Sequence, residues 1–80
     1  MRFVWQTWNV AHIARHGLTP PQVEALFALP KAEFHSVPGG RSQMRAQLHG
    51  QTFRVVFLQE DNGTIFVITC HREHPERRFP

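Results

Sequence analysis

The side chains best suited to chemistry are arginines on segments that alternate apolar and polar residues. Eight of the nine basic residues are arginine, whose planar guanidinium binds phosphate through paired hydrogen bonds. Arg45 and Arg54 lie in neighbouring segments joined by a turn at Gly50. If these segments pair as strands, both arginines can point to one open face, although the sequence leaves their register undetermined. The pattern is compatible with a nucleic-acid partner and also with a mildly basic, solvated surface.

Two histidines four residues apart form a second candidate site, in WNVAHIARHG (residues 8–17). His12 and His16 would share one face of a helix, as in half of a zinc site. However, Ile13 stands where a metalloprotease helix has glutamate, and Arg15 would repel a cation. The remaining histidines have no known ligand spacing: His35, His49, His71 and His74. We therefore expect no metal or other cofactor, and the simpler interpretation is an exposed His12 and a His16 packed on the following turn.

Length and composition predict a single small domain over residues 1–80, located in the cytoplasm. The hydrophobic fraction of 41% is enough for a packed core, which argues against a disordered chain. Because a chain this short is marginally stable alone, a partner could also stabilise it. Cys70 is the single cysteine, so an internal disulfide and a cysteine-based zinc cluster are excluded. No apolar run approaches the ~18 residues of a membrane span, and no signal peptide is recognisable.

Two short helices are predicted before residue 30. The first should run from Asn9, its N-cap, to a stop at Gly17. Its apolar side is predicted to consist of Val10, Ile13 and Ala14. The second should begin at Thr19, with prolines in its first turn and Gln22 in the capping-box position, and end at Pro30.

The rest of the chain has the period of two that is typical of strands. RFVW is predicted as a short first strand or an extended lead-in, and TIFVITCH, the most apolar segment, as a central strand. Further strands are predicted for AEFHSV, SQMRAQLHG and QTFRVVFLQ. The fold class is therefore α+β, with the two N-terminal helices packed on one face of a small antiparallel sheet of three to four strands.

The opening segment FVWQTWNVAHIARHGLTP resembles the start of the BrnT-like toxins, often described as a family of unknown function. The shared pattern is an aromatic pair, then an Arg-His-Gly turn and a capped second helix. The matching residues are Phe3, Trp5, Asn9, His12, Ile13, Arg15, His16, Gly17, Leu18, Thr19 and Pro20. The remaining matches are weaker. Arg45 and Gly50 match the family's arginine-bearing strand and the glycine turn after it. VVF (residues 55–57) and VIT (residues 67–69) match its last two strands, and ERRF (residues 76–79) matches its C-terminal end.

The resemblance implies a fold similar to RelE and ParE toxins and a type II toxin–antitoxin role. Such a toxin is a ribonuclease that arrests translation until a DNA-binding antitoxin, of ribbon-helix-helix or similar type, masks it. The implied partners are RNA and the antitoxin, with a homo-oligomer or a heterotetramer as compatible assemblies. The chain also departs from the family. Cys70-His71 replaces Ala-Arg after the last strand, Met44 replaces a common acid and Phe79 a common tyrosine.

Metal-independent RNA cleavage needs a base for the 2′-hydroxyl, a cation for the phosphorane and an acid for the leaving 5′-oxygen. In this hypothesis Arg45 and Arg54 bind the phosphate, while His71, Arg72 and Arg77 supply charge and proton transfer. Further RNA contacts are assigned to Arg15, Arg41 and Arg78. In the alternative interpretation the strand arginines are merely solvated and His71 is an exposed strand end.

Two other functions are compatible with the same sequence. One is a non-catalytic or domesticated binding module of the same fold, and the other is a ParE-like gyrase inhibitor. Growth arrest with degraded RNA would favour the ribonuclease, and DNA damage with intact RNA would favour the gyrase inhibitor.

Overall fold

Two helices and five strands form residues 2–73, the part of the chain that the computed structural model describes. In chain order they are β1 (Arg2–Val4), α1 (Thr7–Ala14), α2 (Pro20–Phe27), β2 (Glu33–Val37), β3 (Arg41–Leu48), β4 (Gln51–Gln59) and β5 (Thr64–Glu73). The predicted α+β class is confirmed. Neither helix in these residues has the length and hydropathy needed to cross a membrane.

The strands form one mixed sheet in the order β1-β5-β4-β3-β2. β1 pairs with β5 in parallel, and the other neighbouring pairs are antiparallel. The prediction of three to four antiparallel strands was therefore wrong in both number and direction. Local periodicity indicates that a segment is extended, but β1 finds its partner about sixty residues away, which a local pattern cannot show.

The core contains buried side chains from both helices and from three strands. Met44 of β3 is registered opposite Val55 of β4, which is registered opposite Cys70 of β5, so one sheet face is apolar, as the alternation predicted. The buried cluster consists of Ile13, Leu18, Val23, Leu26, Phe27, Met44, Ala46, Phe53, Val55, Phe57, Ile65, Val67 and Cys70. Burial raises the pKa of the Cys70 thiol to about 12, so this cysteine stays protonated and acts as a core residue.

Helix α1 starts three residues earlier than the sequence indicated. Gln6 is its N-cap, and the predicted cap, Asn9, is instead fully buried inside the helix. The Asn9 side chain accepts a hydrogen bond from the Gln6 backbone N–H (2.7 Å) and donates to the carbonyl oxygens of Val4 (3.1 Å) and Val67 (3.0 Å). Of the predicted apolar side, Ile13 is buried, whereas Val10 (36% exposed) and Ala14 are exposed. A buried amide that joins β1, α1 and β5 thus orients the helix.

The ends of the two helices follow their local signals. Gly17 has φ +74°, and the Leu18 N–H donates to the Ile13 carbonyl, so glycine ends α1 as predicted. Thr19 is the N-cap of α2, and its N–H donates to Gln22 Oε1 at 2.9 Å, which confirms the predicted capping box. Helix α2 ends at Phe27, three residues before Pro30.

Candidate functional site

A row of three basic side chains crosses the sheet on the face opposite the core. Arg45 on β3 is registered with Arg54 on β4, which is registered with His71 on β5. The two-residue turn between β3 and β4 fixes this register, because His49 and Gly50 both have positive φ (53° and 78°), the geometry of a type I′ hairpin. The structure therefore brings together two arginines and one histidine that the sequence placed in the site without a register.

Glu73, at the end of β5, joins the two arginines. Its Oε1 accepts hydrogen bonds from Arg45 Nη2 (2.6 Å) and Nε (3.0 Å), and its Oε2 lies 3.9 Å from Arg54 Nε. Within the described residues, Arg54 Nε has no hydrogen-bond partner. Two guanidinium groups thus converge on one carboxylate, and the place of this carboxylate is the candidate anion-binding position. Sequence reasoning missed Glu73, although its place two residues after His71 puts both on one strand face.

His71 contacts a second histidine, which lies in the turn between α1 and α2. The ring centroids of His16 and His71 are 5.0 Å apart with an interplanar angle of 82°, an edge-to-face arrangement. Burial, followed by the positive charges of Arg54 and His16, lowers the pKa of His71 from its usual 6.5, and Glu73 opposes this shift. Neutral imidazole, which can accept a proton, is therefore the main form of His71 at pH 7.

Arg72 does not lie in the row to which the sequence assigned it. Because successive strand residues point to opposite faces, Arg72 is registered with the core residue Phe53, and its guanidinium carbon lies 5.7 Å from that ring centroid. Arg72 Nη1 donates to the backbone carbonyl of His16, and Nε donates to Gln51 Oε1 at 3.2 Å. Arg72 therefore fastens the α1–α2 turn to the sheet and does not face the anion-binding position.

The other predicted site residues are more scattered. Arg41, the first residue of β3, lies on the same face of the sheet as Arg45 by alternation, ~13 Å away along the strand. Arg15 is exposed at the end of α1. Arg77 and Arg78 lie outside the described residues. His12 is exposed and its ring centroid is 6.1 Å from that of Trp8. No group of three or more histidine, cysteine, aspartate or glutamate side chains in residues 2–73 is placed to hold a metal ion.

A cleft of about 440 Å³ adjoins Arg45 at the start of β2, beyond which β3 has no strand partner on this edge among residues 2–73. Its walls include Leu29 and Lys31 from the α2–β2 connection, and Gln47 and Thr52 from the β3–β4 hairpin. The Gln47 side-chain amide donates to Thr52 Oγ1 at 3.3 Å. Of the groups at the anion-binding position, Arg45 lines this mixed polar and apolar space.

Glu73→Gln should strengthen anion binding. The neutral amide no longer competes as an anion for Arg45 and Arg54. Because half-exposed ion pairs contribute at most ~1 kcal/mol, phosphate should bind about two- to fivefold more tightly. Isothermal titration with inorganic phosphate measures this, and Glu60→Gln, an exposed carboxylate in the β4–β5 turn, is the control. Unchanged or weaker phosphate binding by Glu73→Gln would show that the carboxylate does not occupy the anion position.

The ring of His71 should titrate below pH 6.5, and Arg54→Ala should move its midpoint upward, since a repelling charge is lost. Between the lowered pKa and 6.5 the unfolded chain binds more protons than the folded chain, so His71 makes stability fall as the pH drops through this range. Two-dimensional NMR of the histidine rings, assigned with His71→Asn, gives the midpoints. A midpoint above 6.5 in the wild type would contradict the assigned environment.

Comparisons with known proteins found no relative of this chain. No family model matches the chain, and no curated protein or solved structure matches it.

Proposed function

We propose that this protein is a metal-independent endoribonuclease and acts as the toxin of a type II toxin–antitoxin system. The observation that carries the proposal is the row of Arg45, Arg54 and His71 on the open sheet face, where two guanidinium groups adjoin an imidazole that is neutral at pH 7. This row contains the cation and the base that RNA cleavage needs.

The two arginines supply the phosphate position. Glu73 shows that one anion can reach Arg45 and come within 3.9 Å of Arg54. A phosphodiester has two non-bridging oxygen atoms that share one negative charge, as the two oxygen atoms of a carboxylate do. The same guanidinium donors can therefore bind it. Guanidinium groups fixed at this position would stabilise the additional charge of the pentacovalent phosphorane more than that of the ground state.

His71 is the base. Its neutral ring would take the proton of the 2′-hydroxyl next to the bound phosphate, and the 2′-oxygen would then attack phosphorus. The products are a 2′,3′-cyclic phosphate and a free 5′-hydroxyl. Because the lowered pKa keeps the ring unprotonated, His71 would be ready to act at and below neutral pH.

The toxin role follows from the BrnT-like resemblance of the first twenty residues. The order of one strand, two helices and four strands supports a RelE/ParE-like fold, and the shared core of helix and strand residues supports helices packed on one sheet face. In this role the substrate is cellular RNA in the cytoplasm. The partner is a ribbon-helix-helix or similar antitoxin, which would cover the basic face and add stability to a small domain.

Induced expression in a bacterium, combined with a purified-protein assay, tests the proposal. We expect growth arrest, loss of intact RNA and, in EDTA, cleavage of a defined RNA to fragments with 2′,3′-cyclic phosphate ends. Soluble protein that neither arrests growth nor cuts RNA would favour the non-catalytic binding module. Growth arrest with damaged DNA and intact RNA would favour a gyrase inhibitor.

A further inference from the structure

The row on the sheet contains a base and two cations but no group suited to protonate the leaving oxygen. Arginine does not release its proton in proteins, so neither guanidinium of the row can act as the acid. The Glu73 carboxylate already accepts two hydrogen bonds from Arg45. The charged and titratable groups near His71 in the described residues are Arg54 on β4, Glu73 on β5 and His16 on the α1–α2 turn. Of these, His16 carries an imidazole, a side chain that commonly serves as general acid or general base in enzymes.

We propose that His16 is the general acid of this site, and that Arg72 positions it. The inference rests on the proposed ribonuclease function and names a catalytic residue that the row does not contain. The observation behind it is the contact between the imidazole rings of His16 and His71, which are 55 positions apart in the chain. Their ring centroids are 5.0 Å apart and their planes are inclined at 82°. This contact places a second imidazole directly beside that of His71.

Arg72 holds the turn that carries His16. Its guanidinium donates to the His16 carbonyl and to Gln51 Oε1, and lies over the ring of Phe53. It also lies 3.5 Å from where a β-carbon of Gly17 would be, so it packs closely on the turn. One side chain of β5 thus binds the backbone of His16, while the preceding residue, His71, contacts its ring.

The step balances with the two histidines in opposite protonation states. Neutral His71 takes the proton of the 2′-hydroxyl as the 2′-oxygen forms its bond to phosphorus. The bond from phosphorus to the 5′-oxygen breaks, and that oxygen receives the proton of the His16 imidazolium. His71 ends protonated and His16 neutral, and exchange with water restores both.

Changing the leaving atom separates the acid from the base. In an RNA whose scissile 5′-oxygen is replaced by sulfur, the leaving thiolate needs no proton. We expect His16→Ala to cut ordinary RNA ~10²–10⁴-fold more slowly than the wild type, and the sulfur-containing RNA at a rate close to the wild type. His71→Ala should be slow on both substrates, because the 2′-hydroxyl still needs a base.

The control is His12→Ala, which removes an exposed histidine of α1 and should leave both rates unchanged. Ordinary-RNA cleavage by His16→Ala at the wild-type rate would overturn the assignment, as would a defect of equal size on both substrates. A wild-type protein that cuts neither substrate would instead overturn the ribonuclease function itself.

Arg72→Lys tests the positioning role. Lysine keeps the charge but cannot donate in the same fork to the His16 carbonyl and Gln51. We expect a smaller loss than for His16→Ala, with the same rescue by the sulfur leaving group. A purely structural role for Arg72 would slow both substrates equally, and this outcome would remove the positioning role.

Discussion

Alanine at both Arg45 and Arg54 should lower the rate of RNA cleavage by at least ~10³-fold and abolish growth arrest. Removing one preorganised donor from a charge-stabilising site typically costs about 10²–10³-fold, and this double variant removes both guanidinium groups. Both side chains are nearly half exposed on the uncovered face, so their loss should leave no cavity in the core. Initial rates on a defined oligonucleotide, measured beside thermal unfolding, give the result.

Two further variants make this result specific. Arg2→Ala removes an exposed arginine of β1, at the far edge of the sheet, and should cut RNA as the wild type does. Lysine at both Arg45 and Arg54 keeps the charge and loses the planar fork, so it should recover part of the rate. Undiminished cleavage or toxicity in the double alanine variant would remove both arginines from the site.

Asn9→Ala should destabilise the protein by about 3 kcal/mol, since three hydrogen bonds are lost and buried carbonyls lose a donor. For a domain of this size, that loss corresponds to a fall in Tm on the order of 15–20 °C. Asn9→Asp should be equally harmful at pH 7, because a carboxylate would face the carbonyl oxygens of Val4 and Val67. Thermal unfolding followed by circular dichroism measures both variants.

Gln22→Ala is the matched control for Asn9. Both residues occupy the third position of a helix and accept from the backbone N–H of the N-cap residue, but the Gln22 bond is exposed. Its loss should cost ~1 kcal/mol or less. If Asn9→Ala were no more harmful than Gln22→Ala, the buried amide would not be what holds α1 to the sheet.

The features that the sequence predicted correctly depend on a few neighbouring residues. Gly17 ends a helix because it adopts a positive φ without strain, and Thr19 with Gln22 begins the next through a local hydrogen bond. Gly50 allows a tight hairpin, and the alternation around Met44 shows which strand face is apolar. In each case the physical cause lies within about four residues of the effect.

The features that could not be predicted from the sequence depend on residues far apart in the chain. Asn9 was predicted to be a helix N-cap, because asparagine, like serine and aspartate, is favoured at that position. In the structure its side-chain amide instead donates a hydrogen bond to the carbonyl oxygen of Val67. The contact of His16 with His71 joins the end of a helix to the end of the last strand. Neither pattern has a local signature, since each arises when separate elements meet.

The sequence by itself therefore determined the α+β class, the stop of α1 at Gly17, the cap of α2 at Thr19, the apolar face of the strands and the arginine-rich character of the opposite face, because periodicity, caps and turns act over short distances. The tertiary structure alone decided how these parts combine. It paired β1 with β5, placed Glu73 between Arg45 and Arg54, and turned Arg72 away from them. The reason is that strand pairing and side-chain contact are set by packing across the whole domain, where residues distant in sequence compete for the same neighbours.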